Sequence, residues 1–313
     1  MKKFLLSLLL VASSAWSAEL VEIVIPFAAG AGAADIYGRN VHKYLSDRVP
    51  SKEFIVVNKG GADGRIALQY VQQRAPEVTT VIILPMSVLT MNQVLNETPG
   101  FKVEDFAIYG PVYKNSYSLA VNPKSGIKDF DSFIKLARTR PVNCGAGNLA
   151  SIFFAKVLFN KLNIHDAQVI TFKNSGEASL NTMNGSLDCV IDGLGVQSMF
   201  HKDNKLKILA VTDKSSIRDF NDLNNIKLFS SVIPHYHLFG WYAYGIPKSI
   251  PESKREEIFA ELRNAHKSHA FADIAESLRF EIMQPPVNPM KFLDSQYNLY
   301  NQLRMDIGIQ RNQ

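Results

Sequence analysis

The chain has 313 residues, of which 46% are hydrophobic and 20% are charged, with a formal net charge of +5. This length and composition suit about two globular domains with ordinary apolar cores. Basic and acidic residues are interspersed without a long basic run, so the sequence does not suggest nucleic-acid binding.

The first 17 residues have the pattern of a secretory signal peptide. Two lysines precede an apolar core at 4–12, and Ala15-Trp16-Ser17 forms a small-x-small cleavage site. The apolar core is too short to span a bilayer, and no later segment is both long and apolar enough. We therefore predict a soluble protein exported to the periplasm, with cleavage after Ser17 or Ala18.

The strongest local pattern follows this signal. Ile23-Val24-Ile25 predicts a buried strand, and a helical pattern begins at Asp35. Because the loop between them is poor in side chains, its backbone N–H groups and the helix N-terminus are free to meet an anion. The loop consists of Pro26, Phe27, Ala28, Ala29, Gly30, Ala31, Gly32, Ala33 and Ala34.

Downstream, short apolar runs alternate with helical patterns, which indicates α/β units and a largely parallel sheet. The predicted strands are 21–25, 54–57, 80–84, 107–113, 118–121, 142–144, 168–171, 189–191, 206–212 and 239–244. The predicted helices include 35–45, 65–73, 129–138, 151–162, 177–184 and 251–265, and the chain after 251 is mostly helical.

Two further loops resemble the first in composition. Gly145-Ala146-Gly147-Asn148 lies between a predicted strand and a predicted helix, and a glycine-rich turn at 58–65 implies close backbone approach. Ligands in open α/β sheets lie beyond the carboxyl ends of strands. Two such loops therefore predict a cleft between two domains, and the alternative is that each is only a tight turn.

The two cysteines, Cys144 and Cys189, lie in predicted core strands. An exported protein can join such a pair in a disulfide. The alternative, which the apolar context favours, is two buried free thiols. No CxxC motif or Cys/His spacing indicates a metal site.

Catalytic patterns are weak. There is no GxSxG elbow and no HExxH motif. His235 and His237 could share one side of a strand, although a surface or hinge pair is the favoured interpretation. Asp188 and Asp192 could form an acid–base pair, but a turn residue and a strand-end residue are favoured. We predict no enzyme activity and no cofactor.

The order of these segments resembles the substrate-binding proteins of tripartite tricarboxylate transporters, the TctC or Bug receptor family. The similar segments run in order over nearly the whole mature chain, which is more specific than any one of them. They are PFAAGAGAADIYGR, VVNKGGADG, VEDFAIYGPV, NCGAGNLASIFFAKVLF, FKNSGEASLNTMNGSLDCVID, LKILAVT and GWYAYGIPKSIP.

The resemblance implies a type II-like, two-domain periplasmic solute-binding fold. Each domain is a mostly parallel sheet flanked by helices, and two strands near 118–121 and 239–244 cross between the domains. Domain 1 comprises 18–120 plus 240–313, and domain 2 comprises 121–239. The implied ligand is a small carboxylate-bearing organic anion, and the implied partner is the membrane permease of a tripartite tricarboxylate-type transporter. Alternatives are a ligand-presenting sensor and an exported hydrolase.

The resemblance also implies the site residues. Ser87 is expected in the loop after the third strand, and Phe27, Trp241 and Tyr242 as apolar walls. The first loop is one residue longer than the family pattern, and the domain-two loop lacks the Ser or Thr that family members usually carry there. We therefore expect backbone contacts to dominate, with Asn148 or Ser151 as a side-chain anchor. The predicted ligand-binding residues are Phe27, Ala28, Ala29, Gly30, Ala31, Gly32, Asp35, Ser87, Gly145, Ala146, Gly147, Asn148, Ser151, Lys173, Asn174, Asp192 and Trp241.

Overall fold

The computed structural model describes residues 18–30, 32–234, 236 and 238–312. The predicted signal peptide, Ala31, His235 and His237 lie outside these residues. The strands are β1 Glu19–Ile25, β2 Lys52–Asn58, β3 Thr79–Pro85, β4 Phe106–Asn115, β5 Tyr117–Val121, β6 Val142–Ala146, β7 Ala167–Thr171, β8 Cys189–Gly193, β9 Lys207–Val211, β10 Lys227–Leu228, β11 Gly240–Pro247 and β12 Phe280–Ile282.

Ten helices of eight residues or more occur in the described part of the chain. They are α1 Ala33–Arg48, α2 Arg65–Arg74, α3 Met86–Leu95, α4 Phe130–Ala137, α5 Leu149–Lys161, α6 Ser175–Met183, α7 Leu194–Lys202, α8 Glu252–His266, α9 His269–Ser277 and α10 Pro289–Asp306. None of the described helices is long and apolar enough to cross a membrane.

The strands form two six-stranded sheets, ordered β12-β4-β11-β3-β1-β2 and β10-β9-β5-β8-β6-β7. We call the first sheet with α1–α3 and α8–α10 the first lobe, and the second sheet with α4–α7 the second lobe. In each lobe the α/β units pair in parallel, whereas β11 and β5 run antiparallel to their neighbours. Both sheets are therefore mixed, because β11 and β5 run antiparallel to the strands beside them.

The central strands β1 and β3 of the first sheet are buried on both faces. Val21, Ile23 and Ile25 of β1 pack into one apolar cluster, while Val24 packs into another on the opposite face. This is the alternation that a strand imposes, and a strand covered on both sides is mostly apolar, although β1 also contains the buried Glu22, which pairs with Arg74. The short run Ile23-Val24-Ile25 predicted this strand for that reason.

The second sheet carries the two cysteines on adjacent parallel strands. Cys144 of β6 lies directly opposite Cys189 of β8, with a Cα–Cα distance of 4.5 Å, and the two form a disulfide. The favoured interpretation of two free thiols is therefore wrong. Strand register brings the two residues together, and register cannot be read from the local sequence.

The chain crosses between the lobes at Ser116, the single residue between β4 and β5, and returns in the segment before β11. An apolar seam also joins the lobes. The rings of Phe153 and Phe154 on α5 lie 6.1 and 5.8 Å from the ring of Tyr300 on α10. The Tyr300 hydroxyl donates to the carbonyl of Phe239 at 2.8 Å. The seam thus holds the lobes together along one side.

Candidate functional site

A cleft between the lobes has a narrow inner chamber and a wider outer mouth. The space open to the centres of water molecules is about 40 Å³ in the chamber and about 580 Å³ in the mouth. The chamber has room for about three water-sized groups. Of the predicted site residues, those lining the chamber are Phe27, Ala28, Gly32, Asp35, Ser87, Gly147, Asn148, Asn174, Asp192 and Trp241, and Ala29 and Lys173 line the mouth.

Four of the remaining predicted residues lie behind or beside the cleft. Gly145 and Ala146 are the last residues of β6 and are buried. Ser151 is buried in the first turn of α5, and Gly30 is exposed on the first loop. The fifth, Ala31, lies outside the described residues.

Asp35 organises the first loop. Its Oδ2 accepts from Gly30 N at 3.2 Å and from Arg39 Nε at 2.9 Å, and its Oδ1 accepts from Asn58 Nδ2 at 2.7 Å. Burial raises the pKa of Asp35, but the hydrogen bonds from Arg39, Asn58 and Gly30 outweigh it, so the pKa lies below its usual value. The carboxylate thus occupies the amide of Gly30 and holds the loop against β2.

Two helix N-termini of the first lobe open into the chamber without a side-chain cap. Gly32 precedes α1 and Pro85 precedes α3, and neither has a side chain that hydrogen-bonds the first turn. Gly32, Ala33 and Ala34 line the chamber beside Met86 and Ser87. Ser87 lies in the first turn of α3, so its predicted place in a loop is wrong. First-turn N–H groups without intrahelical partners attract anions.

In the second lobe, α5 and α6 are capped by their own chain, whereas α7, which follows Gly193 at the chamber, has no side-chain cap. The Asn148 side chain accepts from Ser151 N at 3.0 Å at the start of α5. The Asn174 side chain accepts from Glu177 N at 2.9 Å at the start of α6. The capacity to bind an anion through helix N-termini therefore lies mainly with the first lobe.

Asp192 is a fully buried carboxylate at the end of β8. Its oxygens accept from Gly147 N at 2.8 Å, Asn148 Nδ2 at 3.0 Å, Ser151 Oγ at 2.7 Å and Gly193 N at 2.7 Å. Desolvation raises its pKa above the usual value even though these donors act in the opposite direction. The N–H and O–H groups near the second loop that were expected to bind a ligand anion thus bind Asp192 instead.

The lobes meet closely at the chamber. A Cβ atom placed on Gly32 would lie 3.9 Å from the Cβ of Asn174 across the cleft. One placed on Gly147 would lie 2.3 Å from the backbone nitrogen of Ser175, so only glycine fits there. Gly147 therefore permits close packing against the backbone of Ser175, and it also donates a hydrogen bond to Asp192.

Asp188 and Asp192 stand on either side of the β8 core and do not form a pair. Asp188 accepts from Arg140 Nη2 at 2.5 Å and from Asn143 N at 2.8 Å, away from the chamber. The favoured interpretation of a turn residue and a strand-end residue agrees with this geometry. Within the described residues, no group of three or more His, Cys, Asp or Glu side chains could hold a metal ion.

Sequence reasoning missed several chamber residues. Asn115, Tyr117, Gly193, Val196 and Gly240 line the chamber near the crossings between the lobes. Their local sequences carry no chemical motif, since the crossings alone place them at the cleft. The one signal in the sequence that could have located these residues was that a predicted strand lies on either side of each crossing.

Comparisons with known proteins agree with this geometry. The chain matches the model of the TctC family, the tripartite tricarboxylate transporter family receptor, over residues 38–308. Similar solved structures include an R. palustris protein with adipate, which is 18% identical with a TM-score of 0.84 and coverage of 95% of this chain and 100% of that one. The periplasmic binding protein BugD is 17% identical with a TM-score of 0.83 and coverage of 95% and 100%.

A third similar structure is MatC from Rhodopseudomonas palustris with bound malate, 17% identical with a TM-score of 0.80 and coverage of 91% of this chain and 98% of that one. At these identities the structures establish the two-lobed fold. The family model matches most of the chain. The chain therefore belongs to the TctC family of tripartite tricarboxylate transporter receptors, as its resemblance to that family had predicted.

Proposed function

We propose that the protein is a periplasmic receptor that captures a small carboxylate-bearing organic anion in the cleft. The observation that carries this proposal is the convergence of two uncapped helix N-termini, those of α1 and α3, on one chamber. Helix N-termini bind carboxylates through free N–H groups and the positive end of the helix dipole. The adipate and malate in two similar structures support the same ligand class.

The charges around the chamber indicate which lobe the ligand carboxylate faces. Asp192 lies on the second-lobe wall of the chamber, and its donors are already engaged by its own oxygens. A ligand carboxylate placed against this wall would meet a buried group of the same charge. Asp35 of the first lobe also lines the chamber, but Arg39 Nε pairs with its carboxylate at 2.9 Å, so the ligand carboxylate binds toward Gly32 and Ser87.

Binding is coupled to the approach of the two lobes. The ligand enters at the outer mouth, which Lys173 borders, and the lobes close over it where Gly32 meets Asn174. The apolar seam between α5 and α10 restricts this motion to a hinge at one side. The closed form is then recognised by the membrane permease of a tripartite tricarboxylate-type transporter, after export directed by the first 17 residues.

A thermal-shift screen of the mature protein tests this function. The ligands are mono-, di- and tricarboxylates, acidic amino acids and aromatic acids, with neutral sugars as the control. A ligand at a hundred times its Kd stabilises the folded state by about 2.7 kcal/mol, which is a shift of several degrees in Tm for a chain of this size. A shift with sugars and none with any anion would contradict the proposal.

A further inference from the structure

The hydroxyl group of Tyr242 has no hydrogen-bond partner in the described part of the chain. The residue is 7% exposed and lines the chamber. Its oxygen is not one of the unpaired side-chain atoms that solvent cannot reach, so it keeps some accessible surface. Buried phenols usually find a hydrogen-bond partner. A free phenol on a cavity wall therefore indicates a partner that enters from the cavity.

Neighbouring rings of the first lobe hold the phenol in place. The ring centroid of Tyr242 lies 4.9 Å from that of Phe280 on β12 and 5.6 Å from that of Tyr37 on α1. These contacts restrain the ring, so the position of the hydroxyl oxygen is set before any ligand arrives. A donor that is already ordered costs little conformational entropy when a ligand binds it.

Tyr242 lies beside both uncapped helix N-termini. In the pairing of β11 with β3 it stands opposite Pro85, the residue that directly precedes α3. It also belongs to the same apolar cluster as Ala33 and Ala34 in the first turn of α1. Ala33, Ala34 and Pro85 line the chamber together with Tyr242. The phenol therefore stands where the proposed function places the ligand carboxylate.

The phenol is available as a donor. Burial and the nearby Asp192 carboxylate raise the pKa of Tyr242 above its usual value, so the hydroxyl group is protonated at neutral pH. Asp192 already accepts from four other groups, and Tyr242 is not among them. A protonated phenol can donate one hydrogen bond. A hydrogen bond to an ionised acceptor is about twice as strong as one between neutral groups.

Other buried phenols of the chain have internal acceptors. Tyr113 stands opposite Tyr242 in the pairing of β4 with β11, and its hydroxyl group donates to a backbone carbonyl at 3.2 Å. The hydroxyl groups of Tyr236 and Tyr300 each donate to a backbone carbonyl at 2.8 Å. These bonds stabilise the fold. The hydroxyl group of Tyr242 makes no such bond and faces the chamber instead.

We propose that Tyr242 is a ligand-contacting residue whose hydroxyl group donates a hydrogen bond to the carboxylate bound at the N-termini of α1 and α3. This inference rests on the proposed function, and it gives a polar role to a residue that the sequence predicted only as an apolar wall. A ligand whose end group has no acceptor oxygen leaves the phenol unpaired, so Tyr242 contributes to selection of the carboxylate.

Tyr242→Phe tests the inference, because it removes the hydroxyl group and keeps the ring against Phe280 and Tyr37. The ligand is the carboxylate that gives the largest Tm shift in the screen, and calorimetric titration measures its Kd. The variant should bind it about tenfold more weakly or worse, as expected for the loss of a hydrogen bond to a charged group. The Tm of the ligand-free protein should not fall, because the hydroxyl group has no partner within the protein.

Tyr113→Phe is the matched control. It makes the same chemical change on the neighbouring strand, at a residue that does not line the chamber. It should lower the Tm of the ligand-free protein, since it removes an internal hydrogen bond, and it should keep the affinity for the carboxylate.

The outcomes separate this inference from the proposed function. An unchanged Kd in Tyr242→Phe would overturn the inference and leave the proposed function standing. A fall in the ligand-free Tm of Tyr242→Phe as large as that of Tyr113→Phe would also overturn it, because the hydroxyl group would then serve the fold. If no carboxylate binds the unaltered protein, both are overturned.

Discussion

A single charge at the start of α1 tests where the ligand carboxylate binds. Gly32 has φ −81° and ψ 144°, an extended conformation that any residue adopts. A Cβ there would stand 3.9 Å from Asn174 Cβ, which is ordinary contact. Gly32→Asp and Gly32→Asn should therefore both fold, and each supplies the cap that α1 lacks. Each should raise the free energy of unfolding by a few tenths of a kcal/mol.

The two variants differ only in charge, so their ratio of Kd values measures the electrostatic effect. At about 4 Å and an effective dielectric constant of about 20, two negative charges repel by about 4 kcal/mol, which is about a thousandfold in Kd. Gly32→Asp should thus bind the carboxylate found in the screen about a thousandfold more weakly than Gly32→Asn, although it is as stable.

Calorimetric titration of both variants, with thermal unfolding of the ligand-free proteins, makes this measurement. Ser268→Asp is the control, because Ser268 caps α9 outside the cleft through its contact with Phe271 N. Affinities within about threefold for the two Gly32 variants would refute a carboxylate at the start of α1. Complete loss of binding in both would show crowding instead of charge, and would contradict the geometry described above.

Two further predictions concern stability. The Cys144–Cys189 disulfide closes a segment with a sequence separation of 45. The loop-entropy model gives it a contribution of about 4 kcal/mol to the free energy of unfolding. Urea unfolding of the Cys144→Ala/Cys189→Ala protein should show this loss, and an unchanged midpoint would contradict it. Burial lowers the pKa of His266 to about 4 from its ordinary value of 6.5, so the unfolded chain takes up a proton at higher pH than the folded one. The free energy of unfolding should fall as pH falls from about 6.5 to about 4, and His266→Gln should weaken that slope.

The ten predicted strands all occur in the structure, because each is a short apolar run between turn residues. Two strands were not predicted. β10 has two residues and β12 has three, which is too short for a periodic pattern. The helix α3 was missed for another reason: nine of its ten residues are buried, so its sequence shows no polar face.

The site was predictable in position but not in its internal contacts. Small residues before Asp35 and after Cys144 indicated the two loops that border the cleft. The hydrogen bond from Gly147 to Asp192, however, depends on the pairing of strands 45 residues apart. Asn115 lines the chamber only because β4 ends there, beside Gly193 and Gly240. Such contacts arise from tertiary structure and leave no local pattern.

The first loop precedes the part of the chain that the family model matches, which begins at residue 38. Phe27 to Asp35 were therefore identified by their residue types and by resemblance of short segments alone. The hydrogen bonds of Asp35 with Gly30 and Asn58 fix the shape of this loop, and this observation does not depend on the family match.

The unequal capping of the helices has a kinetic consequence. Because the uncapped N-termini of α1 and α3 belong to one lobe, an incoming anion can dock there before the other lobe arrives. The association rate is then a property of the first lobe and depends on ionic strength. The dissociation rate depends on how long the second lobe stays closed near Asn174. Substitutions in the second lobe should thus change the residence time of the ligand while leaving its rate of capture nearly constant.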